Sequence, residues 1–571
     1  MTKRSLITAL ALSTALTTFA YASEMVRIAS VPFKAEVTGI LVNDVGELFF
    51  NSQHPGGKGE VVEGGPAALI GYVAGANLNT YDGPGIGIPA EDDRDNVHSV
   101  GDFITLGVAG DVMGDGKQLG AVYAADGSLM FVSNDVDYNA FVRINDDEAY
   151  LYTAFEGASR KGVSAISRLK LNRVDGKWAT DLSASKAIDL SSIEGAWVLC
   201  FGSTTPWGTE LLAEEYYFHN TSLWNHPNDY DEDERPGFKG GNDVSYHMPK
   251  MMAQHLGKQS NPYRYGYMIE MDDPLADQPG LARRYAMGRF SHENGMVMAD
   301  GRTVYMSDDD SAKYTNAKYN SNSGGVFFKF VADRARDLSS GTLYAAKVTQ
   351  DAGVDAQTVG FDIEWIELAH GDEATIAGWI DEYENIGPDQ YVEGGTNFIS
   401  DADVINWAEG KIGNDINGDG TVGSYPDNRP AFLESRKAAA ALGASYEWNK
   451  MEGVAADGEN VYLAISEVGI SMDAAWGHAA WNTGAKDEAD GGVIALNAEL
   501  CGGIYAGAIE ADYNISRLEP SVMGKHMGEA GCDVERIANP DNIASFAGGL
   551  LIAEDAGPKM HPVDMLWLVK N

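Results

Sequence analysis

Residues 200–215 read CFGSTTPWGTELLAEE. The stretch begins with Cys200 after an apolar run, passes through a turn rich in Gly, Thr and Pro, and ends in the adjacent acids Glu214 and Glu215. A tight turn between two short strands would return both carboxylates to the thiol, and a soft thiolate beside hard carboxylates can form the nucleus of a metal site. The alternative is a buried cysteine followed by an ordinary hairpin whose acids face water.

Short runs of strand-forming residues, separated by turn residues, recur along the whole chain. Five clear examples are residues 46–50, 128–132, 303–306, 460–464 and 549–553. Several of them follow an Asp-Gly turn, which is typical of a strand entered from a turn. Many short strands with few long helical patterns predict an all-β fold, namely a sandwich, a barrel or a propeller. No clear repeat period distinguishes these three architectures.

The charge of the chain limits its partners. Its 571 residues include 84 Asp and Glu against 41 Lys and Arg, which gives a net charge of −43. Nucleic acid is itself a polyanion and would be repelled, so we exclude nucleic-acid binding. The acidity favours divalent cations, and an anionic substrate would need local positive charge from metals or arginines.

The N-terminus has the pattern of a secretory signal. Lys3 and Arg4 precede an apolar stretch over residues 6–19 and then a short segment that ends at Ala22. This pattern predicts a signal peptide over residues 1–22 and export to the periplasm or the medium. No later run reaches the ~20 apolar residues of a membrane span. We expect the main domain to cover residues 23–571.

The chain has three cysteines, Cys200, Cys501 and Cys532. In an oxidising compartment an odd number leaves one thiol unpaired. Cys501 and Cys532 are close in sequence and could form a disulfide, which would leave Cys200 available as a ligand. The alternative is that all three cysteines are simply buried.

Several separated motifs together resemble one known family. The pattern T-P-W-G-T-x-L-x-x-E-E after Cys200 resembles the signature of PhoX-type alkaline phosphatases, as do residues 288–293 (GRFSHE) followed by residues 305–309 (YMSDD). The resemblance implies a secreted β-propeller, which we expect to have six blades, with Fe³⁺ and Ca²⁺ in its active site. Many relatives carry the segment N-x-Q-H-P-G near the C-terminus, whereas here it comes first, at residues 51–56. We therefore expect a permuted chain order, since the closing blade can be completed from either terminus.

The resemblance also implies a set of site residues, which the loops at one end of the blades would bring together. The expected metal ligands are Glu36, Cys200, Glu214, Glu215, Glu293, Asp308, Asp309, Glu452 and Glu554. The expected catalytic residues are Arg289, His292 and Glu293, with the planar guanidinium of Arg289 gripping a phosphoryl group. Oxygen donors suit Ca²⁺ and Fe³⁺, and the lone thiolate favours iron over calcium alone. Taken singly, each acid could instead be a solvated turn residue, and His54 either a site residue or an imidazole that stabilises a turn.

Residues 372–449 differ in character from the rest of the chain. Helical spacing over residues 374–383, 400–411 and 430–442, with Ser400 as an N-cap, predicts a helical insertion. Within the insertion, a loop resembles the first half of an EF-hand, with its oxygen ligands at Asp415, Asn417 and Asp419. The twelfth position of the loop is a proline, where a bidentate Glu is required. The segment is either a structural calcium site or an ordinary loop.

These observations predict a metal-dependent phosphatase that hydrolyses small phosphomonoesters and acts as a monomer. The sequence contains no G-x-S-x-G or H-E-x-x-H motif and no obvious covalent nucleophile. Attack by a metal-bound hydroxide is therefore expected. The alternatives are a calcium-dependent propeller hydrolase of another class, such as a lactonase-like enzyme, and a calcium-stiffened propeller that only binds a partner.

Overall fold

Short strands make up most of the structure, as the alternation of apolar runs and turn residues predicts. The computed structural model describes residues 24–57, 59–157, 162–215, 221–227, 248–309, 324–410, 427–475 and 493–570. The predicted all-β fold class is confirmed. The predicted signal peptide over residues 1–22 lies outside the described residues.

The described residues contain 28 strands. The first twelve are β1 (Met25–Ser30), β2 (Glu36–Val42), β3 (Leu48–Gln53), β4 (Leu69–Ala74), β5 (His98–Ser99), β6 (Asp102–Val108), β7 (Ala121–Tyr123), β8 (Leu129–Val132), β9 (Val136–Arg143), β10 (Glu148–Phe155), β11 (Ala165–Val174) and β12 (Lys177–Ala187). The next nine are β13 (Leu199–Thr204), β14 (Glu210–Glu214), β15 (Met268–Asp272), β16 (Gly280–Arg283), β17 (His292–Val297), β18 (Thr303–Asp308), β19 (Phe328–Arg334), β20 (Asp337–Gln350) and β21 (Phe361–Asp372). The last seven are β22 (Met451–Ala456), β23 (Asn460–Ile465), β24 (Gly503–Ala508), β25 (Arg517–Met523), β26 (Pro540–Phe546), β27 (Gly549–Glu554) and β28 (Met565–Lys570).

Most of these strands form antiparallel meanders that follow one another along the chain. Three separate sheets have the orders β2-β3-β4-β6, β9-β10-β11-β12 and β13-β14-β15-β16. A nine-stranded sheet contains two further meanders, β17 to β21 and β22 to β25, which join where Phe361 and Asp362 of β21 pair with β25. A five-stranded sheet has the order β26-β27-β28-β1-β5, and β7 pairs with β8 in a small sheet of their own.

The first strands of the meanders form a closed ring. β2 contacts β9, further contacts run in turn from β9 to β13, β17, β22 and β26, and β26 contacts β2 again. Sheets arranged in sequence around such a ring have a propeller-like arrangement. The predicted propeller architecture is confirmed in this form, and it brings the first strands of distant sequence segments together.

Strand β1, at the N-terminal end of the described chain, completes the sheet made by the C-terminal strands. It pairs antiparallel with β28, with Val26 opposite Leu568 and Ser30 opposite Met565. Strands from both ends of the described chain therefore contribute to the last sheet. The pairing closes the ring with main-chain hydrogen bonds between the two ends of the chain.

The α-helices in the described residues are α1 (Met248–Leu256), α2 (Glu373–Asp381), α3 (Asp401–Ala408), α4 (Arg429–Leu433), α5 (Ser435–Ala441) and α6 (Gly557–Met560). Helices α2 to α5 lie between β21 and β22, where the sequence predicts a helical insertion. Ser400 caps α3 as predicted, since its Oγ accepts the N–H of Asp403 at 3.2 Å and its own N–H donates to Asp403 Oδ2 at 2.9 Å. The EF-hand-like loop with Asp415, Asn417 and Asp419 lies outside the described residues.

Apolar packing fixes the helical insertion against the sheets. One buried cluster includes Val304 and Phe328 of neighbouring strands together with Ile376 of α2 and Phe432 of α4. Full burial of one such side chain contributes about 1.5–3 kcal/mol. The insertion is therefore part of the same core as the nine-stranded sheet. Within the described part of the chain, no helix combines the length and the apolar character needed to cross a bilayer.

Candidate metal centre

Five first strands place an acid or a thiol at a β-bulge. In β13, Leu199 pairs with Glu214 and Gly202 pairs with Leu212, so that the strand pairing skips Cys200 and Phe201. The pairing is interrupted in the same way at the start of four other first strands, at Asp137, Glu293, Glu452 and Asp541. A bulge bends its strand and re-aims a side chain, and bulges are frequent beside active sites. In each of these strands the bulge therefore points the side chain of one candidate metal ligand away from the direction that regular strand pairing would give it.

A second set of acids follows directly after the second strands of the meanders. Glu156 follows β10, Glu215 follows β14, Asp309 follows β18 and Asp555 follows β27. In an antiparallel pair the second strand ends beside the start of the first. The two sets of side chains therefore meet at the same end of the ring.

Apart from Asp309, the members of the two sets, together with Glu36 at the start of β2, form four groups in which the candidate ligand atoms all lie within 4.8 Å of one another. The groups are Glu156, Cys200 and Glu215; Asp137, Cys200 and Glu293; Glu293, Glu452 and Asp541; and Glu36, Asp541 and Asp555. Neighbouring groups share Cys200, Glu293 or Asp541, so they form one continuous set. We name these eight carboxylates and the thiol of Cys200 the acid–thiol cluster.

Burial and mutual repulsion make the charged forms of these acids unfavourable. The pKa of Glu215 is held well above its ordinary value, first by burial and then by the charges of Asp309 and Glu156. Burial and then the charge of Glu215 raise the pKa of Glu293 in the same way. The pKa of Glu452 rises to about 8 because burial and Asp309 outweigh the opposing effect of Lys450. The cluster therefore lacks the positive charge that would keep all of its carboxylates ionised.

The cysteines take the arrangement that leaves Cys200 available. Cys501 and Cys532 form a disulfide, whereas Cys200 is free and buried. The Sγ–H of Cys200 donates to Oε2 of Glu215 at 3.1 Å. Burial, together with the charges of Glu215 and Glu293, raises the pKa of the thiol well above its ordinary value. Metals bind the thiolate, so cation binding at Cys200 would release this proton.

The donor set fits the metals that the family resemblance implies. Among the described residues, no hydrogen-bond donor reaches the buried oxygens Asp137 Oδ1, Glu215 Oε1 and Asp309 Oδ1. Buried carboxylate oxygens require a proton donor or a cation. Hard oxygens suit Ca²⁺ and Fe³⁺, and one soft thiolate within the set suits iron.

Four of the nine expected ligands lie outside the four groups. Asp309 lies beside them and its charge acts on Glu215, whereas Glu214, Asp308 and Glu554 are each the last residue of a second strand. Glu214 accepts two hydrogen bonds from Arg283, from Nε at 3.0 Å and from Nη2 at 2.7 Å. It also accepts the backbone N–H groups of Trp197 and Gly266, each at 3.0 Å. The oxygens of Glu214 therefore already accept hydrogen bonds from the protein, and its role is to connect neighbouring strands.

Asp308 and Glu554 have the same kind of environment. Asp308 pairs with Arg436 and accepts the backbone N–H of Ser291 at 3.1 Å. Glu554 accepts Nε1–H of Trp567 at 2.7 Å and lies 2.9 Å from Nδ1 of His561. Successive side chains of a strand point to opposite sides. The residue after each of these acids, and not the acid itself, therefore reaches the site.

The two expected catalytic residues other than Glu293 also lie away from the cluster. Arg289 donates from Nε to the backbone oxygen of Tyr265 at 2.9 Å and from Nη1 to that of Leu433 at 3.1 Å, which connects the helical insertion to the sheet. His292 stacks on Phe290 with ring centroids 3.6 Å apart. Burial lowers the pKa of His292 to about 3, so the ring is neutral at ordinary pH. His292 belongs to none of the four groups in the described residues.

Lys450 supplies positive charge at the cluster. Its Nζ pairs with Oε1 of Glu452 and lies 3.7 Å from Oδ2 of Asp309. The Lys450 side chain is 25% exposed, whereas that of Arg289 is 3% exposed. Lys450 can therefore meet a ligand that enters from solvent.

Sequence reasoning placed five residues of the cluster and missed four. The five are Glu36, Cys200, Glu215, Glu293 and Glu452, and Asp309 lies beside them. The missed residues are Asp137, Glu156, Asp541 and Asp555. In the structure each of the four stands either second in a first strand or directly after a second strand, a regularity that depends on the observed strand bounds.

Solved structures that resemble the chain are distant from it. They include a putative oxidoreductase (glucose dehydrogenase) from Thermus thermophilus, with 9% identity, 61% of this chain and 87% of that chain covered, and a TM-score of 0.25. A GH43_1 enzyme from Xanthomonas citri has 12% identity, coverage of 61% and 91%, and a TM-score of 0.24. Scores this low assign neither a fold nor a function.

The curated proteins contain no match to this sequence. A family model does match: the model described as alkaline phosphatase PhoX covers residues 168–566. This range is more than half of the 571 residues and contains Cys200, Glu293 and Asp541. The chain therefore belongs to the PhoX alkaline phosphatase family.

Proposed function

We propose that this protein is a metal-dependent phosphatase that hydrolyses phosphomonoesters and releases inorganic phosphate. The observation that carries the proposal is the acid–thiol cluster, in which eight carboxylates and one thiol from distant segments meet at one end of the ring. Membership of the PhoX family supports the phosphatase class. Without cations such a buried cluster is electrostatically unfavourable, which supports metal dependence.

The chemistry of the four groups suggests how they would divide the metals. The groups that contain Cys200 would hold iron, because they combine a thiolate with Glu215 or Glu293. The group of Glu36, Asp541 and Asp555 offers oxygen atoms alone and would hold calcium. When bound, the cations supply the positive charge that phosphoryl oxygens require and lower the pKa of a coordinated water.

The residues of the chain contribute position and shielding. The bulges hold Cys200, Glu293 and Glu452 on the first strands, and donors on strands are held more firmly than donors on loops. The site residues are largely buried, which strengthens electrostatic interactions with a phosphoryl group. Lys450 would attract the anionic ester against the net charge of the protein, the role that the sequence suggested for Arg289.

We further propose that the protein acts as an exported monomer. Residues 1–22 have the pattern of a signal peptide. The disulfide between Cys501 and Cys532 supports an oxidising compartment, since such bonds are rare in the cytosol. A structural calcium ion at Asp415, Asn417 and Asp419 stays a prediction from sequence.

The test of the proposed function is hydrolysis of p-nitrophenyl phosphate by the purified protein. We expect activity in the wild type, loss of activity after treatment with a chelator, and loss of activity in Cys200→Ser and Glu293→Gln. Lactone substrates, assayed beside the phosphate ester, cover the lactonase-like alternative. Full activity of both variants, or hydrolysis of lactones alone, would contradict the proposal.

A further inference from the structure

His54 takes the position in its meander that acids of the site take in theirs. It follows directly after β3, the second strand of the first meander. Glu156, Glu215 and Asp309 follow the second strands of the next three meanders and reach the acid–thiol cluster. The fold therefore directs the residue at this position toward the site, and the first meander carries a histidine there.

The imidazole of His54 lies against one residue of the cluster. Its Nε2 is 2.8 Å from Oε1 of Glu36, and the two side chains are 4% and 7% exposed. The preceding residue, Gln53, donates from Nε2 to Oε1 of Glu156 at 2.9 Å. Two adjacent side chains of the segment N-S-Q-H-P-G thus contact two different acids of the cluster.

The contacts of His54 indicate a positioning role. Among the described residues, His54 belongs to none of the four groups, whereas Glu36, which its imidazole contacts, belongs to the group with Asp541 and Asp555. The backbone at His54 is held in an uncommon conformation, with φ at 33°, while its N–H donates to the backbone oxygen of Asn134 at 2.9 Å. Such a conformation persists only where the surroundings impose it, and it is concentrated at functional sites.

We propose that His54 is a positioning residue that fixes the carboxylate of Glu36 for a calcium ion shared with Asp541 and Asp555. The inference depends on the proposed function in one respect, namely that the cluster binds cations. Partners that orient a ligating side chain raise metal affinity, and their loss typically costs about 10- to 100-fold. Because its Nε2 lies 2.8 Å from Oε1 of Glu36, we expect the effect of His54 on calcium to pass through Glu36.

The test is a calcium titration of the full-length protein after removal of metals with a chelator, followed by calorimetry. His54→Asn removes the imidazole, and asparagine tolerates a positive φ better than most residues. We expect calcium binding at one site to weaken about 10- to 100-fold and His54→Gln, which retains a donor of similar reach, to recover part of the loss. His370→Ala is the matched control, because His370 pairs with Asp333 at 3.0 Å on the exposed surface; its calcium affinity should equal that of the wild type.

A double-variant comparison separates positioning from a general structural effect. Glu36→Gln with His54→Asn should bind calcium no more weakly than Glu36→Gln alone. Wild-type affinity in His54→Asn, or a loss that adds in full to that of Glu36→Gln, overturns the inference while leaving the proposed function intact. Absence of calcium binding by the wild type overturns both. Melting curves without calcium check folding, and His54→Gly replaces His54→Asn if the latter does not fold.

Discussion

Two adjacent carboxylates, Glu214 and Glu215, have opposite environments and should respond oppositely to the same substitution. Glu214 is fully buried and accepts two hydrogen bonds from Arg283, itself 2% exposed. Glu215 faces Cys200 and other acids, and no donor in the described residues reaches its Oε1. We therefore predict that Glu214→Gln damages stability and that Glu215→Gln damages metal binding.

The magnitudes follow from the two environments. Removing one partner of a buried ion pair leaves the other charge uncompensated and costs about 3–5 kcal/mol, so metal-free Glu214→Gln should lose about that much free energy of unfolding. Glu215→Gln removes an acid that burial and neighbouring charges disfavour, so its metal-free form should be as stable as the wild type or more stable. A cation present at 100 times its Kd stabilises the folded state by about 2.7 kcal/mol, an increment that Glu214→Gln should keep and Glu215→Gln should lose.

The assay is urea denaturation of both variants and the wild type, once in chelator and once with metal retained. We expect a large loss of stability for Glu214→Gln in both conditions and a loss for Glu215→Gln only with metal. Equal losses for the two variants in chelator would contradict this prediction, because the two acids would then share one structural role. Wild-type stability of Glu214→Gln in chelator would refute the assignment of the ion pair.

Three further predictions concern residues inside and outside the site. Lys450→Met should raise KM for p-nitrophenyl phosphate at least several-fold with a smaller change in kcat, since Lys450 pairs with Glu452 and lies near Asp309; an unchanged KM would remove Lys450 from substrate binding. His292→Phe should retain most of the wild-type kcat, because His292 is neutral and stacked on a ring. Loss of activity in a folded variant would show that His292 takes part in catalysis. Burial lowers the pKa of Lys329 to about 8 in the folded protein. Between that pH and the ordinary pKa of lysine, the unfolded chain keeps the proton that the folded protein loses, so the free energy of unfolding rises with pH. Lys329→Met should therefore gain stability over the wild type at pH 7 and lose that advantage by pH 10, as measured by urea unfolding; an advantage independent of pH would contradict the shift.

Sequence reasoning reached the fold class and about half of the cluster. The turn after Cys200 predicted the approach of thiol and acid, and Cys200 donates to Glu215. The sequence does not show which of two successive residues at the end of a second strand faces the site. Glu214 and Glu215, for example, both follow the same apolar pair, and either could face it. The same ambiguity applies to Asp308 and Asp309. Bulges shift the phase again, and nothing in a single sequence marks their position.

Other site residues depend on contacts between distant segments. Asp137 and Asp541 lie in distant segments of the sequence, and only the closed ring brings their strands together. Arg289 follows a motif that suggested phosphate binding, yet its guanidinium donates to the backbone of Leu433, at the end of α4. The position of that helix depends on packing between segments more than 100 residues apart. Local patterns contain no information of this kind.

The most direct test of the central claim is the location of metal ions by anomalous scattering in crystals of the active protein. We expect iron bound to Sγ of Cys200 and calcium bound among Glu36, Asp541 and Asp555. Active protein whose crystals show no ion at these side chains would contradict the claim that the acid–thiol cluster is the metal centre of this phosphatase.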